Sequence, residues 1–171
     1  MADLVEPTTR LYAAWRAARE DWGPGTHEDG FGLLITDDVD TRDGFEAWIR
    51  RLERESGVTY RWIVEGDDVL GAAALRHRLD GRAIEVGQVG YGVRPSVRGR
   101  GLATWALGQV LVVATTLGLD LVLIVCAAEN AASGRVIERN GGVLEGVRET
   151  DLGPARRYWV ELNDPRRPGC A

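Results

Sequence analysis

The chain has 171 residues, 44% of them apolar, and a formal net charge of −5. That length suits a single domain with a real core, and the composition excludes a disordered chain. The negative charge argues against a general nucleic-acid binder. No apolar run reaches membrane-spanning length, and the acidic start Met1-Ala-Asp-Leu-Val-Glu6 is unlike a secretory leader, so a cytoplasmic protein is expected.

Thr8 or Thr9 can cap a first helix running to about Trp22, with Leu11, Trp15, Ala18 and Trp22 on one face, and Gly23-Pro24-Gly25 stops it. Residues 26–41 read as an acidic loop with a short apolar island at Phe31–Ile35. Thr41 or Asp43 opens a second helix to about Ser56, where Phe45, Trp48, Ile49 and Leu52 keep helical spacing. The tryptophans Trp15, Trp22, Trp48 and Trp62 read as core. Three strands follow, Tyr60–Glu65, Val69–Leu79 and Ala83–Val93, joined by turns at Gly66-Asp67-Asp68 and Asp80-Gly81, which predicts an antiparallel meander. Beyond a Gly/Arg turn come a helix Leu102–Leu117, a buried central strand Leu121–Ala127, a helix Ala131–Arg139 and strands Val143–Thr150 and Arg156–Leu162. The domain is expected to span residues 1–164, with 165–171 a flexible tail. The two cysteines, Cys126 at the end of an apolar strand and Cys170 in the tail, fit neither a disulfide framework nor a metal site.

The turn between Val93 and Thr104 carries the most chemical information. A strand runs into it and a helix N-terminus runs out of it, so amide N–H groups and the positive end of the helix dipole suit a phosphate there. Arg98 and Arg100 add permanent fork-shaped charge, and Gly99 and Gly101 let the backbone come close to a ligand. A nucleotide P-loop needs a lysine, and all 21 basic residues of this chain are arginine. A Rossmann fingerprint needs glycine where Thr104 stands. Residues 1–80 carry 17 acids against 10 arginines and residues 81–171 carry 9 against 11, so the half with this turn is the less acidic.

The pattern Arg98-x-x-Gly101-x-Ala103, preceded by Val93-Arg94-Pro95, resembles the acyl-CoA motif of the GNAT acetyltransferase superfamily. The resemblance extends to Leu75-Arg-His77, Gly90–Arg98, the stretch Ala127-Ala-Glu-Asn130 with its helix to Gly142, Val136–Glu145 and Arg157-Tyr-Trp159. Together these are similar to a bacterial subgroup of predicted acetyltransferases, over about residues 58–162.

The resemblance implies an α/β (α+β) fold: a mixed, mostly antiparallel sheet of six or seven strands flanked by four helices, with the strands Ala83–Val93 and Leu121–Ala127 splayed apart. It implies an N-acetyltransferase that uses acetyl-CoA, no metal, and direct attack by a primary amine. Tyr91, Gly92 and Val93 would pair with the pantetheine arm, and the Val93 N–H would polarise the thioester. Arg98, Gly99, Arg100, Gly101, Leu102, Ala103 and Thr104 would hold the pyrophosphate, joined by Asn130, Ser133 and Arg135. Asn130 equally reads as a helix N-cap. Glu85 leads as general base, since a partly buried carboxylate on the splayed strand gains a raised pKa, with His77 second and Glu129 third. The helix tyrosine that serves many relatives as thiolate acid is replaced by Ile137, leaving Tyr91, Tyr158 or a water. The carboxylates around His27-Glu-Asp29 and Asp37-Asp38-Val-Asp40 suit a small cationic amine. A protein or peptide amine, a non-catalytic acyl-CoA-binding module and a homodimer remain open.

Overall fold

A computed structural model describes residues 1–25, 27 and 30–163. The chain forms, in order, β1 (Asp3–Val5), α1 (Tyr12–Trp22), α2 (Arg42–Arg54), β2 (Val58–Glu65), β3 (Asp68–Arg76), α3 (Ala83–Val86), β4 (Val89–Val93), α4 (Leu102–Thr116), β5 (Leu121–Ala127), α5 (Ala131–Arg139), β6 (Val143–Thr150) and β7 (Gly153–Glu161). The strands make a four-stranded sheet ordered β1-β2-β3-β4 and a three-stranded sheet ordered β5-β7-β6. The mixed α/β class expected from the sequence is observed. Among the described residues no helix is long and apolar enough to cross a membrane.

The described chain divides into two compact units. The first comprises Met1–Ala74 and Tyr91–Leu102. Its core is aromatic: Trp15, Phe31, Phe45, Trp48 and Trp62 are all buried, and Trp48 stacks on Trp62 with ring centroids 5.9 Å apart. Trp22 packs partly buried against them. Each such ring pair adds about 0.5–1.5 kcal/mol beyond its buried area. That gain offsets buried indole N–H groups on Trp15, Trp48 and Trp62 that have no hydrogen-bond partner. Thr41 caps α2, its Oγ1 accepting the Gly44 N–H at 3.1 Å. Arg51 on α2 holds the loop before it by donating to the Gly32 carbonyl and to Asp37, both at 2.6 Å. β1, absent from the sequence reading, pairs antiparallel with β2 through Asp3–Val64 to Val5–Trp62.

The second unit comprises Leu75–Gly90 and the described residues from Ala103 onward. Its core is aliphatic, with Leu107, Leu111, Leu123, Ile124, Ile137 and Val160 buried around α4, α5 and the sheet. Gln88 is buried and acts as a polar stitch. Its backbone N–H donates to Leu123 O at 2.7 Å, while its side-chain Oε1 accepts the Leu123 N–H at 3.1 Å. Its Nε2 donates to Arg76 O, and its carbonyl accepts the Arg76 N–H at 2.7 Å. Asn140 is the second stitch, donating to Thr104 O in the first turn of α4 and to Val136 O in α5.

Three expectations need correction. The strand over Ala83–Val93 is a short helix α3 followed by a five-residue β4. The Asp80-Gly81 turn runs directly into helical bonds, Ala83 N–H to Asp80 O and Val86 N–H to Arg82 O, both 3.0 Å, and Gly87 at φ 82° ends them. β3 ends at Arg76 rather than Leu79, because the bond from Arg76 to Gln88 is where the ladder stops. β5 borders its sheet, where β7 is central; among the described residues the far edge of β5 meets the Gly87–Ile124 bridge and Gln88.

Candidate functional site

The Gly/Arg turn has the local shape that its sequence predicts. β4 closes at Val93, Pro95–Val97 make one 3-10 turn, and α4 begins at Leu102. Gly99 and Gly101 sit at φ 82° and 79°, which a residue with a Cβ adopts only with strain. A Cβ built on either meets nothing within 4 Å, so the backbone there faces open space. The first-turn amides of a helix have no partner within the helix, and α4 presents those of Leu102, Ala103 and Thr104 directly after the glycines. Amides so exposed at a helix start are suited to an anion.

The two arginines differ. Arg98 is exposed and folds back so that its Nε donates to the Val93 carbonyl at 3.0 Å. Arg100 donates to Glu65 Oε2 at 2.8 Å, at the end of β2. That bond, with the charge behind it, holds the Glu65 carboxyl below its ordinary range.

β4 lies at the border of the four-stranded sheet. Arg94 N–H donates to Leu70 O on β3 at 2.8 Å. Successive N–H groups of a strand point to opposite edges, so those of Val93 and Tyr91 point away from β3. Behind them Gly71 is pressed against the Gly92 carbonyl so closely that a Cβ on residue 71 would collide with it. Tyr91 and Gly92 are half-buried and Val93 is buried.

In the second unit, Asn130 is the N-cap of α5, its side chain accepting the Ser133 N–H at 3.0 Å. Ser133 is half-buried in the first turn, and Arg135 is exposed on the helix surface. Asn140 ties the end of α5 to Thr104 at the start of α4, so Ala103, Thr104 and the α5 residues share one bonded frame.

Of the catalytic candidates, Glu85 departs from its expected place. Glu85 stands exposed on α3, not half-buried on a strand, so the burial that favoured it as a base is missing. His77 is half-buried just past the end of β3, and Glu129 is exposed in the turn before α5. Tyr158 is buried on β7; its hydroxyl donates to Glu138 at 3.3 Å, and burial pushes its phenol up. Ile137 is core. In the acidic loop, Asp37 is neutralised by Arg51, and Asp38 accepts from Thr41 Oγ1 and the Asp40 N–H. Glu28, Asp29, the tail 165–171 and Cys170 lie outside the described residues.

Sequence reasoning missed three connectors: Asp21, Gln88 and Arg157. Arg157 Nη1 donates to the Ile84 carbonyl of α3 at 2.6 Å while its Nε donates to Glu145 at 2.7 Å, which fixes the helix that bears Glu85. Arg157 lay inside a quoted motif, but nothing local announced its partner.

The family model described as the acetyltransferase (GNAT) domain matches residues 4–143. Among solved structures, an N-acetyltransferase from Staphylococcus aureus is 21% identical, with 95% of this chain and 99% of that one covered and a TM-score of 0.68. RimJ of Mycobacterium smegmatis, in complex with CoA-disulfide, is 20% identical over 97% and 84% of the two chains, at a TM-score of 0.72. The microcin C7 self-immunity acetyltransferase MccE, in complex with acetyl-CoA and AMP, is 15% identical over 94% and 92%, at 0.70. Among curated protein sequences nothing matches.

Proposed function

The chain belongs to the GNAT acetyltransferase family, and on that premise we propose that it moves an acetyl group from acetyl-CoA to the primary amine of a small cationic acceptor. The observation that carries this reading is the cradle at the start of α4: two glycines at positive φ, open space before them, and an arginine beside each. The wider frame is a single domain over 1–164.

In this reading the cradle amides of Gly99–Thr104, with Arg98 and Arg100, hold the pyrophosphate. The outward amides of β4 pair with the pantetheine arm, and the Val93 N–H donates to the thioester oxygen as negative charge grows there. Asn130, Ser133 and Arg135 line the same ligand. The amine nitrogen bonds to the acetyl carbon, the carbon–sulfur bond breaks, and the thiolate leaves. One proton goes from the ammonium to a base and one goes to the sulfur.

The base is Glu85 or His77, acting directly or through water. Glu85 retains the role because Arg157 and Glu145 fix α3 rather than because it is buried. The thiolate acid is Tyr91, Tyr158 or a water; Tyr158 donates its hydroxyl to Glu138 on α5. Support for a cationic acceptor comes from Asp38 and Asp40, which stay exposed, and is reduced by Asp37, whose charge Arg51 answers.

Calorimetric titration with acetyl-CoA, CoA and ATP tests the reading, repeated on Arg98→Ala and Gly101→Val. Acetyl-CoA binding that falls at least about tenfold in each variant is the expected result. Thiol release with a panel of small amines follows. Equal binding of ATP, or no binding of acetyl-CoA, overturns the reading. Binding without turnover on any amine overturns the transferase and leaves an acyl-CoA-binding module.

A further inference from the structure

We propose that Asp21, at the last turn of α1, is a positioning residue for the cradle: by bridging Arg94 and Ser96 it holds the turn that carries Gly99 and Gly101 in the shape that receives a nucleotide diphosphate. This rests on the acyl-CoA reading above and adds a residue to it.

A single oxygen does the bridging. Asp21 Oδ2 accepts from Arg94 Nε at 2.8 Å, from Ser96 Oγ at 2.6 Å and from the Ser96 N–H at 3.1 Å. The two charged side chains are 20% and 23% exposed, so water competes with them only in part. The opposite side of the same turn is fixed to β3, where Arg94 donates its N–H to Leu70 O at 2.8 Å and Nη1 to Val69 O at 3.4 Å. The turn closes on itself through Val97 N–H to Arg94 O and Arg98 N–H to Pro95 O. The stem of the cradle is thus held from two elements, while the glycines beyond it are exposed and unobstructed.

The division has a physical purpose. A site made of backbone amides binds an anion well only if the amides are already aimed, because any ordering on binding is subtracted from affinity. Glycines at positive φ supply the shape but no stiffness. Stiffness must come from the stem, and Ser96 stands three positions before Gly99. A role for Asp21 in binding an acceptor amine is ill suited to this geometry, since three donors already saturate the oxygen that faces the turn. Those same donors, Ser96 Oγ foremost and then Arg94, hold its carboxyl down to about 2, so it stays ionised throughout the range in which such a ligand would bind.

The test compares Asp21→Asn and Ser96→Ala with the wild type in calorimetric titrations. Three probes are used: CoA, 3′-phosphoadenosine 5′-diphosphate, which has the phosphates and no pantetheine, and S-acetylpantetheine, which has no phosphate. For Asp21→Asn the expected result is a loss of about tenfold for CoA and for the nucleotide, with S-acetylpantetheine unchanged. Ser96→Ala should lose about threefold on the same two probes, and Ser96→Thr, which keeps the hydroxyl, should recover. Thermal unfolding shows that each variant compared is folded. Wild-type affinity for CoA in the folded Ser96→Ala and Asp21→Asn proteins overturns the proposal and leaves the acyl-CoA reading standing. Equal losses on all three probes also overturn it, because they mark general distortion. Absence of CoA binding by the wild type overturns both.

Discussion

The two units hold themselves together by different means. The first packs indole and phenyl rings and joins distant segments with charge: Asp21 to Arg94, Asp37 to Arg51, Glu65 to Arg100. The second packs branched aliphatic side chains and joins distant segments chiefly with the neutral amides of Gln88 and Asn140, beside one charged tie from Glu145 to Arg157. Charged ties at partial exposure are cheap to form and weaken with salt and acid. Buried amide ties ignore both, but each one broken leaves stranded polar atoms. The turn from Arg94 to Arg98 belongs to the first unit, and its tie to Asp21 answers to salt and acid.

Four experiments break or sharpen this contrast. The largest effect is expected from Trp48→Ala, which empties the middle of the aromatic cluster and should cost about 3–5 kcal/mol in urea unfolding. Next comes Gln88→Leu, which strands the Leu123 N–H and the Arg76 carbonyl and should cost about 1–3 kcal/mol at any pH from 5 to 8. A pH-dependent loss there would contradict the neutral character assigned to the Gln88 tie. Thr41→Ala removes the cap of α2 and should cost about 1 kcal/mol. The smallest effect is acid sensitivity. Asp21, at about 2 against an ordinary 3.8, contributes stability that is complete above its unfolded value and is lost as pH falls through its folded one. Glu65 is lowered in the same sense by Arg100. Stability should therefore decline between pH 4 and 2 in the wild type and decline less in Asp21→Asn, as followed by tryptophan fluorescence.

Much of this was legible in the chain. α1, α2, α4 and α5 each carry helical spacing or a cap that local physics reads directly, and Thr41 and Asn130 cap as expected. The Gly/Arg turn was legible because it is contiguous: every residue of it lies between Val93 and Thr104. α3 was misread because Ile84 and Val86 favour strands by type. The Asp80-Gly81 turn overrode that preference by setting up helical bonds. β1, three residues long, exists only through its pairing with β2. The connectors were out of reach for a plainer reason. Asp21 meets Arg94 across 73 positions, Gln88 meets Leu123 across 35 and Asn140 meets Thr104 across 36, with no local pattern that predicts any of them. Among the catalytic candidates Glu85 was misjudged, since its favoured role depended on burial that only the fold determines.

The Gln88 stitch also sets a clock. Amide hydrogens in a strand normally exchange with solvent only when a ladder opens, but the Leu123 hydrogen is guarded by a side chain, and a side chain can turn about its own bonds without the backbone parting. Leu123 is therefore where deuterium should enter the buried β5 ahead of its neighbours. Its exchange rate reports how often the Gln88 side chain lets go of β5.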